Sequence, residues 1–276
     1  MGGHGLQING FSFTTAVMIA AVVAIGISWL IRRNVPRWLV LGLFVGGGLA
    51  SFVLTGMFNR LLLPVEAALA GKPGSVQSGI VEVILTAALS EQTARLAIIL
   101  LAAVAFRDWV GSEAALCCAL IGLGFAAIEN AMFALLSEGP GEVLVSRSVA
   151  TLTHGAMGLI MGFFVGRAIG TDRIRVRPLI FALIVPFVIH ALYDVGVVLL
   201  EHQEFPEISD EPSASELRAL GAPLGILGAG FLLWITMMVW AVRILRAQRR
   251  SVGCRSEATV AQHASQGVIT PSDAEK

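Results

Sequence analysis

Four short patterns place ionisable side chains inside otherwise apolar stretches of this sequence. Three of them run from Glu91 to Arg95, from Phe125 to Glu129 and from His190 to Asp194, and the fourth is the single His154. A charged side chain at the centre of a membrane-spanning helix is unfavourable by about 2.5–3.5 kcal/mol on insertion scales. Several such residues on separate spans are therefore expected to meet one another and to carry out chemistry.

The composition is that of a membrane protein. Of the 276 residues 56% are hydrophobic and 14% charged, and the mean hydropathy is +0.80. The charged fraction is well below that of a typical soluble domain. Apolar stretches near the ~20 residues that span a bilayer predict an all-α, polytopic helix bundle with about seven spans. We expect one domain over residues 1–250 and a disordered tail over residues 251–276. The predicted spans are about Phe11–Ile31, Trp38–Met57, Ile80–Phe106, Ala114–Leu136, Val145–Val165, Leu179–Leu200 and Pro223–Ile244.

The basic residues divide unevenly between the two sets of connecting segments. One set contains only Arg60, Lys72 and Arg218, whereas the other contains most of the 19 Lys and Arg residues. The positive-inside rule then predicts an exterior amino terminus, a cytoplasmic carboxyl terminus and an exterior acidic loop over Glu201–Leu217. We expect a multi-pass protein of the plasma (cytoplasmic) membrane. Its expected partners include the lipid bilayer and do not include nucleic acid.

Sequence position also predicts depth, because an α-helix rises 1.5 Å per residue. By that rise Glu129 lies about 10 Å, His154 about 13 Å and His190 about 15 Å below the outer end of its helix. Asp194 lies at about 9 Å and Glu91 at about 17 Å by the same rise. In a core about 30 Å thick these depths lie in the outer half or close to the midplane, which predicts one polar cluster opening toward the exterior.

Glycines indicate where helices pack closely. Small residues at every fourth position of a membrane helix allow a neighbouring backbone to approach. The sequence predicts such contacts at Gly158, Gly162, Gly166 and Gly170 of the fifth span and at Gly122 and Gly124 of the fourth.

Two histidines and a carboxylate are a common ligand set for a catalytic zinc ion, which keeps one position open for water. On this interpretation Glu129, His154 and His190 bind the metal. Glu91 takes the proton from the bound water, and Asp194 orients His190 by a hydrogen bond.

A metal-free interpretation remains equally open from the residues alone. A glutamate removed from water could itself activate a water molecule, while the histidines and Asn130 polarise the substrate carbonyl. In that glutamic-type site no cofactor is needed. Glu91 and Arg95 lie four residues apart on one helical face and could also do no more than neutralise each other.

The polar patterns resemble, in order and spacing, the PrsW family of intramembrane proteases, which is distantly similar to the CAAX prenyl endopeptidases. The family pattern is Glu-Glu-x-x-Lys, then Phe-x-x-x-Glu, a histidine and His-x-x-x-Asp. In this chain Gln92 stands at the second glutamate and Arg95 at the lysine. The resemblance covers about residues 80–200, and the stretches that carry it are Leu89–Arg95, Gly124–Asn130, Thr153–Gly155 and His190–Asp194.

The resemblance implies an intramembrane endopeptidase of the metallo- or glutamic type. It implies cleavage of the exterior segment of a single-span, membrane-anchored protein such as an anti-sigma factor, which starts a signalling cascade. The residues that would carry the reaction are Glu91, Arg95, Glu129, Asn130, His154, His190 and Asp194.

Three other functions are compatible with intramembrane Glu, Arg and His. An ion- or proton-coupled transporter would use such residues as its pathway, although the sequence has no convincing internal repeat. A cytochrome could bind haem through His154 and His190, but the intramembrane carboxylates would then have no function. Gln92 also allows a catalytically inactive binding protein of the same family.

Overall fold

The chain is helical wherever the structure describes it. The structure, a computed structural model, describes residues 10–30, 35–105, 112–136, 140–169, 174–202 and parts of 221–246, and these contain helices and no strands. The all-α prediction is therefore confirmed for the described residues. The predicted acidic loop beyond His202 and the predicted tail over residues 251–276 lie outside them, and the orientation of the termini stays a prediction.

Seven helices follow one another along the described residues, and each overlaps one of the seven apolar stretches of the sequence. The second helix continues to Leu69, twelve residues beyond the predicted end of its span at Met57. Five of them, α2 to α6, are long and apolar enough to cross a membrane, so the chain is a multi-pass integral membrane protein. The count of seven spans stays a prediction. The helices are α1 (Gly10–Leu30), α2 (Arg37–Leu69), α3 (Val76–Ala105), α4 (Ser112–Leu136), α5 (Pro140–Ile169), α6 (Val176–Glu201) and the shorter apolar α7 (Leu224–Met237).

Two of these helices contain a π-helical segment, Gly42–Gly47 in α2 and Val83–Leu89 in α3. The second ends directly before Ser90 and Glu91, and π-helical turns often occur at functional sites. Side-chain hydroxyls bond to carbonyl groups within this segment and directly before it. Thr86 Oγ1 donates to the carbonyl of Glu82 at 2.7 Å, and Ser90 Oγ donates to the carbonyl of Thr86.

Helix α4 lies at the centre of the bundle and packs against α1, α2 and α5. Glycine allows the approach of α2, because a Cβ atom at Gly48 would lie 2.7 Å from Gly124 Cα. The predicted close packing of the fourth span is confirmed by this contact.

The backbones of α4 and α5 also touch. Gly122 of α4 lies against the carbonyl group of His154, and Gly158 and Gly162 of α5 lie against Cys118. The prediction is confirmed for these three glycines, whereas Gly166 faces open space and position 170 lies outside the described residues. The close α4–α5 contact holds the helix that carries Glu129 beside the helix that carries His154.

Candidate functional site

Helices α3 to α7 surround a cavity of about 260 Å³. Each predicted polar pattern contributes to its wall. Glu91 comes from α3, Glu129 from α4, His154 from α5, and His190 and Asp194 from α6. The structure thus brings five of the seven predicted site residues to one cavity.

Arg95 lies behind this cavity, with no exposed surface. Its Nη1 atom donates to Gln92 Oε1 at 2.8 Å, and its Nη2 atom donates to His154 Nδ1 at 2.9 Å. Glu91 Oε2 lies 3.5 Å from Nη2. A buried charge requires partners of this kind, and Arg95 therefore serves to position its neighbours.

Phe125, the first residue of the Phe-x-x-x-Glu pattern, supports this arrangement. The guanidinium carbon of Arg95 lies 4.6 Å from the centre of the Phe125 ring, a favourable cation–π distance. The His154 ring centre is 5.4 Å from the same ring. Phe125 is fully buried and fixes both polar groups by packing.

The donors of Arg95 determine where His154 carries its proton. A guanidinium has donors and no acceptor, so His154 Nδ1 must accept from it. A neutral His154 then carries its proton on Nε2, which lies 2.9 Å from Glu129 Oε2. The two side chains are in close contact at the cavity wall.

Gln92 determines which ring nitrogen of His190 carries the proton. Because Arg95 donates to Gln92 Oε1, the amide nitrogen of Gln92 faces His190 Nδ1 at 2.8 Å and donates to it. His190 Nε2 consequently carries the proton and donates to Asp194 Oδ2 at 3.2 Å. The predicted pairing of Asp194 with His190 is present, whereas the bridging role of Gln92 was not predicted.

The donor atoms of the cavity fit a metal ion in part. Ligand atoms of Glu91, Glu129 and His154 lie within 4.8 Å of one another, and two carboxylates with an imidazole suit zinc by type and spacing. This group contains Glu91 where the sequence predicted His190. The two ring nitrogens of His190 face Gln92 and Asp194. The set Glu129, His154 and His190 stays a prediction.

The direction of the hydrogen bonds argues against metal binding in this geometry. To bind a metal through Nε2, a neutral His154 must move its proton to Nδ1. That proton would point at the donor Nη2 of Arg95, 2.9 Å away. The donor types and spacing therefore fit zinc, and the hydrogen-bond direction does not.

Asn130 is buried beside the site, and its amide nitrogen donates to Thr151 Oγ1 at 2.7 Å. Like Arg95, it is absent from the described residues that line the cavity. Its predicted contact with a substrate carbonyl stays a prediction, and its position is that of a residue connecting α4 to α5.

Helix α7 completes the cavity wall with Gly230, Phe231 and Trp234. The indole nitrogen of Trp234 donates to Thr153 Oγ1, next to His154. None of the sequence patterns assigned a role to α7. A usable signal was present, since Phe231 lies seven residues after Leu224, about 10 Å along the helix, which matches the depths of the polar residues.

Comparisons with known proteins identify relatives of one kind. A family model described as PrsW family intramembrane metalloprotease matches residues 35–208. The protein named Protease PrsW from Bacillus subtilis (strain 168) is 36% identical over 85 residues, which are 30% of this chain and 38% of that protein. The Halalkalibacterium halodurans protein of the same name is 33% identical over 85 residues, 31% of this chain and 39% of its own length.

A longer match is found in the Protease PrsW of Geobacillus kaustophilus, with 28% identity over 160 residues. It covers 58% of this chain and 67% of that protein. In contrast, the chain spans less than two-fifths of the length of the Bacillus and Halalkalibacterium proteins. No solved structure matches the chain.

Proposed function

The chain belongs to the PrsW family of intramembrane metalloproteases, and we propose that it is an intramembrane endopeptidase. Its proposed substrate is a single-span, membrane-anchored protein resembling an anti-sigma factor. The proposed location is the plasma membrane, with the site in the outer half of the bilayer. One observation carries the proposal: the carboxylates of Glu91 and Glu129 share a cavity with His154 and His190.

Glu91 is the proposed proton acceptor. Its side chain lines the cavity although the residue is only 8% exposed. Glu129 Oε2 is in close contact with the Nε2 atom of His154 at 2.9 Å, whereas Glu91 Oε2 is 3.5 Å from Arg95 and 3.9 Å from His190. Glu91 is therefore the carboxylate better placed to take a proton from water.

The peptide bond is then cleaved in two steps. Water loses a proton to Glu91, and its oxygen attacks the carbonyl carbon of the substrate. The N–H group of His154 Nε2 is the proposed donor for the negative charge that develops on the carbonyl oxygen, because His154 lines the same cavity as Glu91. In the second step the carbon–nitrogen bond breaks, and Glu91 returns its proton to the leaving nitrogen. Glu91 is thereby regenerated.

The family description includes a metal, and the fit to zinc is only partial. If zinc were bound, Glu91, Glu129 and His154 would hold it, and it would supply a Lewis acid that activates water. The hydrogen bond from Arg95 to His154 favours the glutamic type instead. The proposed reaction accordingly uses only the side chains of the chain itself.

The test is cleavage of a defined single-span substrate by the purified protein in liposomes. Glu91→Gln should lower the turnover rate by about 100-fold or more, because general-base catalysis contributes a factor of about 10²–10⁴. Glu129→Gln should be milder, since Glu129 is not the proposed proton acceptor and the amide keeps the size of the side chain that contacts His154 Nε2. Glu82→Gln is the matched control, because Glu82 lies in the same helix α3 and is exposed.

Two results would contradict the assignment. Full activity of Glu91→Gln would remove Glu91 as the base, and a larger loss in Glu129→Gln than in Glu91→Gln would transfer that role to Glu129. Cleavage products identified by mass spectrometry, with all variants at matched protein levels, separate these outcomes from poor expression.

A further inference from the structure

We propose that the apolar part of the cavity receives one apolar side chain of the substrate next to the scissile bond, and that Phe231 and Trp234 select it. This inference rests on the proposed function and names the substrate residue that the same site accepts. It assigns a specificity role to α7.

The cavity is lined by two chemically different kinds of residue. The polar ones include Glu91, Glu129, His154, His190 and Asp194. The apolar ones include Val83, Ala87, Phe133, Ile189, Phe231 and Trp234. A peptide bond held by the polar residues would therefore place a neighbouring side chain against the apolar residues, where burial of apolar surface is favourable.

The charge of the cavity wall restricts that side chain further. Three carboxylates, those of Glu91, Glu129 and Asp194, line the cavity, while the guanidinium of Arg95 lies behind them. An acidic substrate side chain would meet like charges. A basic one would lose its water among aliphatic and aromatic groups. The pocket thus favours an uncharged apolar side chain.

Phe231 and Trp234 form a preorganised aromatic wall. They lie three residues apart on one face of α7, and their rings stack with centres 5.7 Å apart and an angle of 17° between planes. Phe231 is 54% exposed, so it stands at the cavity mouth. Trp234 is partly buried and packs against the cluster that contains Met157, Ile189 and Met237.

Trp234 also connects this wall to the reacting groups. Its indole nitrogen donates to Thr153 Oγ1, and the next residue is His154. Gly230, on the preceding turn, lies against the backbone of Tyr193, because a Cβ atom at Gly230 would lie 3.3 Å from Tyr193 N. These contacts fix the aromatic wall relative to both α5 and α6.

The test uses three single-span substrates that differ only at the residue preceding the cut, which is Leu, Ala or Asp. The wild type should cleave the Leu substrate at least about tenfold better than the Asp substrate, in keeping with the 10–200-fold discrimination of apolar pockets. Phe231→Ala should reduce the preference for Leu over Ala by several-fold. Leu232→Ala should leave it unchanged, because Leu232 is the adjacent residue and is 66% exposed.

The variants Trp234→Phe and Trp234→Ala distinguish a loss of substrate preference from a loss of folding. The Phe variant keeps a ring and should keep the Leu preference, although it loses the donor to Thr153. The Ala variant should lose that preference. Elution on size exclusion must match the wild type for each variant.

The outcomes separate the inference from the proposed function. Cleavage of all three substrates with the same preference in the wild type and in Phe231→Ala would overturn the inference and leave the proposed function intact. Absence of cleavage by the wild type would overturn the proposed function and this inference together.

Discussion

Gly122 lies directly against the carbonyl group of His154. This contact draws α5 onto α4 and lets His154 Nε2 reach Glu129 Oε2 at 2.9 Å. A side chain at position 122 would therefore separate two of the reacting groups without altering either of them.

Gly122→Ala should lower both stability and activity. A Cβ atom there would overlap the carbonyl oxygen of His154 and lie 3.0 Å from its carbonyl carbon, and overpacking of this kind costs about 1–3 kcal/mol. Thermal unfolding followed by size exclusion measures the loss as a lower Tm. The matched control is Gly166→Ala, because a Cβ atom at Gly166 meets nothing within 4 Å. Equal Tm values for the two variants would contradict the proposed role of the contact.

Gln92→Ala should reduce turnover more than Gln92→Glu does. The alanine removes both the acceptor for Arg95 and the donor for His190, and an unsatisfied buried donor costs about 1–3 kcal/mol. The glutamate still accepts from Arg95 and loses only the donor to His190, so a residual rate within about tenfold of the wild type is expected, the loss that corresponds to the low end of that energy range, about 1.4 kcal/mol. Gln77→Ala, on the exposed start of α3, is the control. A fully active Gln92→Ala would show that the bridge is dispensable.

Metal removal should leave cleavage intact. The hydrogen bond from Arg95 to His154 Nδ1 places the ring proton on the nitrogen that a metal would need. Purified protein treated with a chelator should retain its rate and contain far less than one equivalent of zinc by elemental analysis. Stoichiometric zinc, together with activity that returns only on its addition, would establish the metallo-type site instead.

Reporter fusions should place the carboxyl terminus and the Glu201–Leu217 loop on opposite sides of the membrane. The uneven distribution of Arg and Lys predicts a cytoplasmic signal after Lys276 and an exterior signal within the loop. A third fusion in residues 170–173 should read as cytoplasmic. Reversed signals would place the cavity mouth on the cytoplasmic side and exclude an exterior cleavage site.

The sequence predicts the helices and most of the cavity for a simple physical reason. Long apolar stretches determine spans, and depth along a span follows from a fixed rise per residue. Glu91, Glu129, His154 and His190 can therefore be grouped from their positions in the chain alone. Gly122 and Gly124 can be assigned to helix packing because a missing side chain permits close contact.

Other features depend on three-dimensional contacts that sequence spacing does not determine. Gln92 bridges Arg95 and His190 only because three side chains from α3 and α6 converge. The replacement of His190 by Glu91 in the group that could hold a metal has the same origin. The sequence patterns did not identify Phe231 and Trp234, because aromatic residues in an apolar helix do not differ in polarity from their neighbours.

The π-helical segment Val83–Leu89 restricts the sequence changes that α3 can accommodate. Each residue of an α-helix turns the chain by about 100°, so the direction in which Glu91 points depends on how many residues precede it in that segment. Substitutions there change the lining of the cavity at Val83 and Ala87. An insertion or deletion of one residue would instead rotate Glu91 away from the water that it is proposed to deprotonate. The segment can thus diversify in side chains while its length is constrained.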